Sequence, residues 1–284
     1  MKKSLVLALL TLCCLFGAVA PASAITAPGR PTAKAPTGTI LAVRPTFKWT
    51  QPARAASYEV RVYRGTTLLV RKTGITKLSW QSTKVLPRGV SYFWKVRAHN
   101  SAGNGVWSNR ITFKVRRLAI GDAYQGGKIA YILQSGDPGY VAGQTHGLIA
   151  ATADQSQSTG IQWYNGTYAV IGTTGTALGT GLANTNNLIA ALGPTATDYA
   201  AGLARAYNGG SYTDWYLPSK DELNLLFLNQ ATIGGFVGAP DGYYWSSSEY
   251  DVNGAWNQDF APLGGGQYGS NKANLWGVRA VRSF

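Results

Sequence analysis

A chain of 284 residues has room for one large domain or two ordinary ones. Hydrophobic residues make up 45% and aromatic ones 12%, which excludes a long disordered charged chain, and no stretch beyond the N-terminus approaches the ~20 apolar residues of a membrane span. Charged residues are only 13%, so the excess of 26 Lys+Arg over 12 Asp+Glu, a net charge of +14, weighs heavily on any choice of partner.

Lys2 and Lys3 precede an apolar run from Leu5 to Val19, and Ala22-Ser23-Ala24 follows as a cleavage pattern. Residues 1–24 read as a secretory signal peptide, so the mature chain is expected to begin near Ile25 and to be exported: extracellular, at the cell surface or periplasmic. The two cysteines, Cys13 and Cys14, fall inside this segment, and Leu10-Thr11-Leu12 does not fit a lipoprotein site. The mature chain is therefore expected without disulfides, a thiol nucleophile or Cys-ligated zinc.

Residues 25–40 are rich in Pro, Ala, Thr and Gly and read as a linker or a leading edge. From 41 to 118 period-2 alternation predicts strands, as in Ser57-Tyr58-Glu59-Val60-Arg61-Val62-Tyr63 and Tyr92-Phe93-Trp94-Lys95-Val96-Arg97-Ala98. Arg110-Ile111-Thr112-Phe113-Lys114-Val115-Arg116 repeats the pattern, and turn residues separate the runs, which argues an all-β sandwich.

Trp49, Tyr58, Leu86-Pro87-Arg88-Gly89-Val90-Ser91-Tyr92 and Gly103-x-Gly105-x-Trp107-Ser108 carry a resemblance to a fibronectin type III domain over about 41–117. The resemblance implies that Tyr92 is the corner tyrosine of the sandwich.

From 119 to 284 the texture changes to Gly, Thr, Asn and Ser. Lys128–Leu133 reads as a strand, 158–182 as a loop-rich middle, and about 196–207 as a helix. A second helix starts at Ser219, with Glu222 three residues on as a capping box. Strands are predicted again at 243–246, 255–260 and 276–282. A strand, two helices and a run of strands is an α+β order.

Ile120-Gly121-Asp122-x-Tyr124-x-Gly126-Gly127, Asp214-Trp215-Tyr216-Leu217-Pro218-Ser219-Lys220-Asp221-Glu222-Leu223, Tyr244-Trp245-Ser246-Ser247-Ser248-Glu249 and Val278-Arg279-Ala280-Val281-Arg282 stand in that order. Along about 120–284 they resemble the Lcl C-terminal domain family, named for a collagen-like bacterial surface adhesin. The resemblance implies a C-type-lectin-like fold, and the namesake implies binding of sulfated polysaccharide.

The charge is split between the halves. Residues 25–120 hold 18 Lys+Arg and one acid, Glu59; residues 121–284 hold 6 Lys+Arg and 11 Asp+Glu, a net −5. If Tyr58, Val60 and Val62 face the core, Glu59, Arg61 and Tyr63 face outward. The same alternation collects Arg61, Lys95, Arg97, Arg110, Lys114 and Arg116 on one sheet face, with Tyr63 and Phe93 beside them. Arginine forks pair two oxygens of a sulfate, and exposed rings stack on sugars, so this face is the candidate polyanion site.

The resemblance to C-type lectins also raises a calcium site built from Asp241, Glu249, Asn257 and Asp259, oxygen ligands that suit calcium. No cofactor is otherwise required. Trp163 and Trp256 remain candidate ligand-binding aromatics, whereas Trp215, Trp245 and Trp276 are expected in the core. The glycine-threonine run 172–181 lacks the strand-helix context of a nucleotide loop and reads as surface turns. His99 and His146 have no nucleophile motif with them, so no enzyme is expected.

These features point to an exported, non-catalytic binding protein or adhesin that recognises glycans or an anionic polysaccharide. Alternatives are an extracellular polysaccharide-acting enzyme with the sandwich as accessory module, and a structural part of a surface assembly that self-associates or binds a protein. Nucleic acid is not an expected partner.

Overall fold

Alternation in the first half becomes two sheets that share one core. The protein is described by a computed structural model covering residues 25–156, 159–194, 198–236 and 242–284. The signal-peptide segment and Asp241 lie outside the described residues. The chain divides into two compact units between Arg116 and Arg117.

In the first unit the strands are β1 (Ala33–Ala35), β2 (Gly38–Ile40), β3 (Thr46–Trp49), β4 (Ser57–Arg64), β5 (Thr67–Ile75), β6 (Ser79–Gln81), β7 (Val90–Asn100), β8 (Gly103–Asn104) and β9 (Ile111–Val115). One sheet runs β1-β3-β6; the other runs β2-β9-β7-β4-β5, with β8 paired to β7. Phe47, Trp49, Tyr58, Val60, Val62, Tyr92, Trp94, Val96, Phe113 and Val115 are buried between them, as the alternation predicts. Each such side chain contributes roughly 1.5–3 kcal/mol when fully buried. The Tyr92 hydroxyl donates to the Pro87 carbonyl at 2.8 Å, the contact expected of a corner tyrosine.

Of the two readings of residues 25–40, a linker or a leading edge, the strands at 33–35 and 38–40 fit the leading edge. Ala33 pairs with Trp49, and Gly38 to Ile40 lie parallel to Phe113 to Val115. The Trp94 indole also donates to the Pro36 carbonyl at 3.0 Å. Three-residue strands are too short to show alternation, so composition alone made this segment look like a linker.

The second unit holds β10 (Ala123–Tyr124), β11 (Gly127–Ile132), β12 (Gly147–Ala150), α1 (Gly181–Leu192), α2 (Ala200–Ala206), α3 (Lys220–Leu228), α4 (Gln230–Ile233), β13 (Tyr243–Glu249), β14 (Gly254–Asp259), β15 (Gln267–Asn271) and β16 (Val281–Ser283). Its sheets run β10-β11-β12-β16 and β13-β14-β15. The Ser219 capping box is present, with both reciprocal hydrogen bonds made.

Helix α1 was not expected, because Gly-Leu-Ala-Asn-Thr-Asn-Asn is polar and carries no side-chain cap. It forms because Leu188 is buried in the core and Thr185 exchanges hydrogen bonds with the Leu217 backbone. Of the strand expected over 276–282, only its end forms β16; Trp276 and Gly277 make single bridges to Ile161 and Tyr244. Trp215 and Trp245 are fully buried, and Trp276 packs 4.2 Å from Trp245. No helix among the described residues is long and apolar enough to cross a membrane.

Candidate polyanion-binding face

The outer face of the larger sheet in the first unit is built by register. Glu59 lies opposite Arg97, Arg61 opposite Lys95, and Tyr63 opposite Phe93. On the other side Arg61 lies opposite Arg71 of β5, and Ser91 of β7 lies opposite Lys114. The predicted cations of β4, β7 and β9 therefore do share one face.

Facing outward does not leave Glu59 exposed. Its side chain is fully covered, because three arginines close over it. Arg61 donates at 2.7 Å, Arg71 at 2.8 Å, and Arg97 to the second oxygen at 2.7 and 2.9 Å. Burial works to raise its pKa, but the hydrogen bonds from Arg61, Arg97 and Arg71 outweigh it and hold the carboxyl at about 2.

Trp107 is the second organiser, and sequence reasoning gave it no role. Gly105 donates to the Ala98 carbonyl and Ser108 to the Val96 carbonyl, so 105–108 runs beside β7. Gly105 permits this approach: a Cβ there would sit 2.6 Å from the Pro28 carbonyl oxygen. The Trp107 ring then takes the Arg61 guanidinium at 4.9 Å, the Lys95 ammonium at 4.8 Å and the Arg97 guanidinium at 4.6 Å. The Gly105-x-Trp107-Ser108 spacing beside a cationic strand was the available signal.

The aromatic pair is also in place. Tyr63 and Phe93 stack at 4.7 Å with a 7° interplanar angle. Lys95 lies 5.5 Å above Tyr63, and Arg110 lies 5.6 Å above Phe93. Arg110 and Lys114 are exposed, whereas Arg116 is half-buried just past the end of β9. Arg61, Arg71, Lys95, Arg97, Arg110 and Lys114 face the single carboxylate of Glu59, six against one, which leaves a surplus of five positive charges. Arg61, Arg71 and Arg97 are engaged with Glu59. Arg110 over Phe93 and Lys114 opposite Ser91 are the exposed cations of the rim, and half-buried Lys95 completes it over Tyr63.

In the second unit the three described calcium candidates, Glu249, Asn257 and Asp259, are strung along a hairpin rather than brought together. Glu249 pairs with Ala255, Asn257 with Trp245, and Asp259 with Tyr243. Successive positions thus lie about 7 Å apart along the strand. Glu249 is buried and already has a cation beside it: the Lys272 ammonium donates at 2.6 Å. Lys272 also donates to the Ala169 and Val252 carbonyls, each at 2.9 Å, which uses all three of its protons. Glu249 further accepts from the Ile171 and Gly172 amides. The Asn257 amide group donates to Tyr268 and Ser270, and Asp259 accepts from Ala261. No cluster of three or more metal-ligating acids, histidines or cysteines occurs among the described residues.

The two tryptophans left as ligand candidates separate. Trp163 is fully buried and donates to the Ser246 carbonyl at 2.8 Å, which makes it a core residue and corrects the expectation. Trp256 is half-buried, with Tyr250 edge-on at 5.0 Å and the Lys220 ammonium 4.3 Å above its ring. The glycine-threonine run is tied down at both ends: Glu249 accepts from Gly172, and the buried Glu222 accepts from Gly179 at 2.9 Å. Burial raises the Glu222 pKa, against the hydrogen bonds from the Ser219 and Gly179 amides.

No protein-family model and no curated protein matches the chain. Solved structures similar to about a third of it include fibronectin type III domains. A Fn3-like protein from Clostridium thermocellum is 20% identical, with a TM-score of 0.25, and spans 33% of this chain and 96% of its own. The domain of human fibronectin type III domain containing protein 3 is 22% identical, with a TM-score of 0.27, and spans 33% and 91%. The FN5 domain of Drosophila Lar is 20% identical, with a TM-score of 0.26, and spans 32% and 98%.

Proposed function

We propose that this chain is an exported, non-catalytic binding protein whose basic sheet face holds an anionic, sulfated-glycan-like polysaccharide at a cell surface. One observation carries the reading: five surplus positive charges on a single face, with exposed Arg110 and Lys114 and half-buried Lys95 on the same side as the stacked Tyr63 and Phe93. Sulfates would pair with the rim cations while sugar rings lie against the aromatic pair. The lone acid of this half is consumed by the arginines that organise the face, so it does not oppose an incoming anion. The reading requires no cofactor.

The full chain passed over heparin resin at low salt should be retained and elute only as salt rises, because anion contacts release counterions. Arg110→Glu with Lys114→Glu should elute markedly earlier. A wild-type chain that flows through at low salt would overturn the proposal.

A further inference from the structure

We infer that the second unit carries its own carbohydrate site, for a neutral hexopyranose, on the face of β14 and β15 beside the start of helix α3. It is independent of the polyanion reading, since it uses other residues and other chemistry.

Helix α3 lies along β14 and covers only part of that sheet face. Its far end is packed so closely that a Cβ on Gly265 would meet the Phe227 ring at 2.7 Å. In its second turn Asn224 accepts from Gln258 at 2.8 Å, and at its first residue the Lys220 carbonyl accepts from Gln267 at 2.8 Å. Helix α3 begins at Lys220, and past it on the same face lie half-buried Trp256 and, opposite it in mid-strand, the exposed Gly269. Tyr250, 55% exposed, folds back onto these two residues. A Cβ at Gly269 would lie 2.4 Å from the Tyr250 ring, so the missing side chain is what lets that ring rest against the strand. Tyr250 and Trp256 meet at 90°, forming a floor and a wall.

The polar groups at this corner have unused capacity. Among the described residues, the Lys220 ammonium has no hydrogen-bond or ion-pair partner and rests only on the Trp256 ring, and Gln267 Oε1 accepts no hydrogen bond from protein. Gln267 pairs with Gln258, two residues along β14 from Trp256, so the amide and the aromatic corner are about 7 Å apart, roughly one pyranose ring. A pyranose presents an apolar C–H face to an aromatic ring and hydroxyls at its rim. The corner offers two rings, an ammonium donor that can swing off the indole, and an amide acceptor. Such a mixed apolar surface with a few convergent polar groups is the composition of small-ligand sites.

Charge selects the neutral sugar. Residues 121–284 carry 6 Lys+Arg against 11 Asp+Glu, and Asp221 and Asp251 adjoin Lys220 and Tyr250 in sequence. A polyanion would meet repulsion here, whereas a neutral glycan would not.

The test is titration calorimetry of the full chain with cellohexaose, maltohexaose and mannohexaose in about 0.5 M salt, where exposed charge is largely screened. At least one should bind. Trp256→Ala and Tyr250→Ala should each weaken it about tenfold, the size of one stacking contact. Arg110→Glu with Lys114→Glu should leave it unchanged while eluting markedly earlier from heparin, so each reading fails separately. Tyr250 is exposed, and its variant tests the site even if Trp256→Ala unfolds the sheet. The inference is overturned if none of the three hexasaccharides binds, if Tyr250→Ala binds like the wild type, or if binding requires low salt.

Discussion

Replacing Glu59 by Gln removes one negative charge and almost no volume, and its consequence follows from the three arginines around it. At neutral pH those guanidinium groups converge on one covered carboxylate. The distance between an ordinary glutamate at 4.5 and about 2 corresponds to about 3 kcal/mol of folded-state stabilisation. Arg71 is 56% exposed, and water screens its share, so about 1–3 kcal/mol is the loss expected in Glu59→Gln. The sign with pH is fixed: the folded pKa lies below the unfolded one, so this contribution is complete above about 4.5 and disappears as pH falls toward about 2. Hydrogen-exchange mass spectrometry of the full chain reads it locally. Peptides from β4 and β7 should exchange about tenfold to a hundredfold faster in the variant at pH 7, with β13 and β14 unchanged as internal reference. The wild type should lose its advantage as pH drops below 4.5. Equal protection of β4 in both proteins at pH 7 would refute the view that Glu59 organises this face.

Three further outcomes are expected. Lys272→Met leaves Glu249 buried beside Ile171 and Gly172 without its cation, and should cost about 3–5 kcal/mol in urea unfolding; Lys272→Met with Glu249→Gln should recover part of that loss. Ser219→Ala removes the α3 cap and should destabilise by about 1 kcal/mol, seen as faster exchange in residues 220–224. Tyr92→Phe loses the hydrogen bond to Pro87 and should lower stability by about 1 kcal/mol without moving the heparin elution point.

What could be read from the sequence follows the strength of local signals. The long strands β4 and β7 alternate over eight and eleven residues, so their inward and outward sets were legible. The capping box of α3 was legible for the same reason: its signal is four residues long and chemically specific. Strands β1 and β2 were not, because three residues hold no period, and their pairing is decided by Trp49 and Phe113 far along the chain. Helix α1 was missed because tertiary burial of Leu188 and Thr185 overrides a polar sequence. At the basic face the sequence pattern supplied the cations but not their organisation. That depends on cross-strand register, which puts Arg97 and Arg71 beside Glu59, and on a segment that lays Trp107 over the result.

Register also explains why a face of like charges can fold at all. Cations directly across a sheet destabilise it, and Arg61 stands between Arg71 and Lys95 on its neighbouring strands. Glu59 and Trp107 relieve this crowding by different means. The carboxylate neutralises the β5 side of the row through Arg71 and Arg61, and the negative face of the indole attracts Arg61, Lys95 and Arg97 and offsets part of their repulsion. Both devices act at the centre of the sheet, so Arg110, just before β9, and Lys114 on β9 are left outside them. The charge that remains uncompensated is therefore concentrated at one side of the face, beside Tyr63 and Phe93. A polyanion would add the counter-charge there that the chain itself omits, and its binding should stabilise β9 and β7 more than β5.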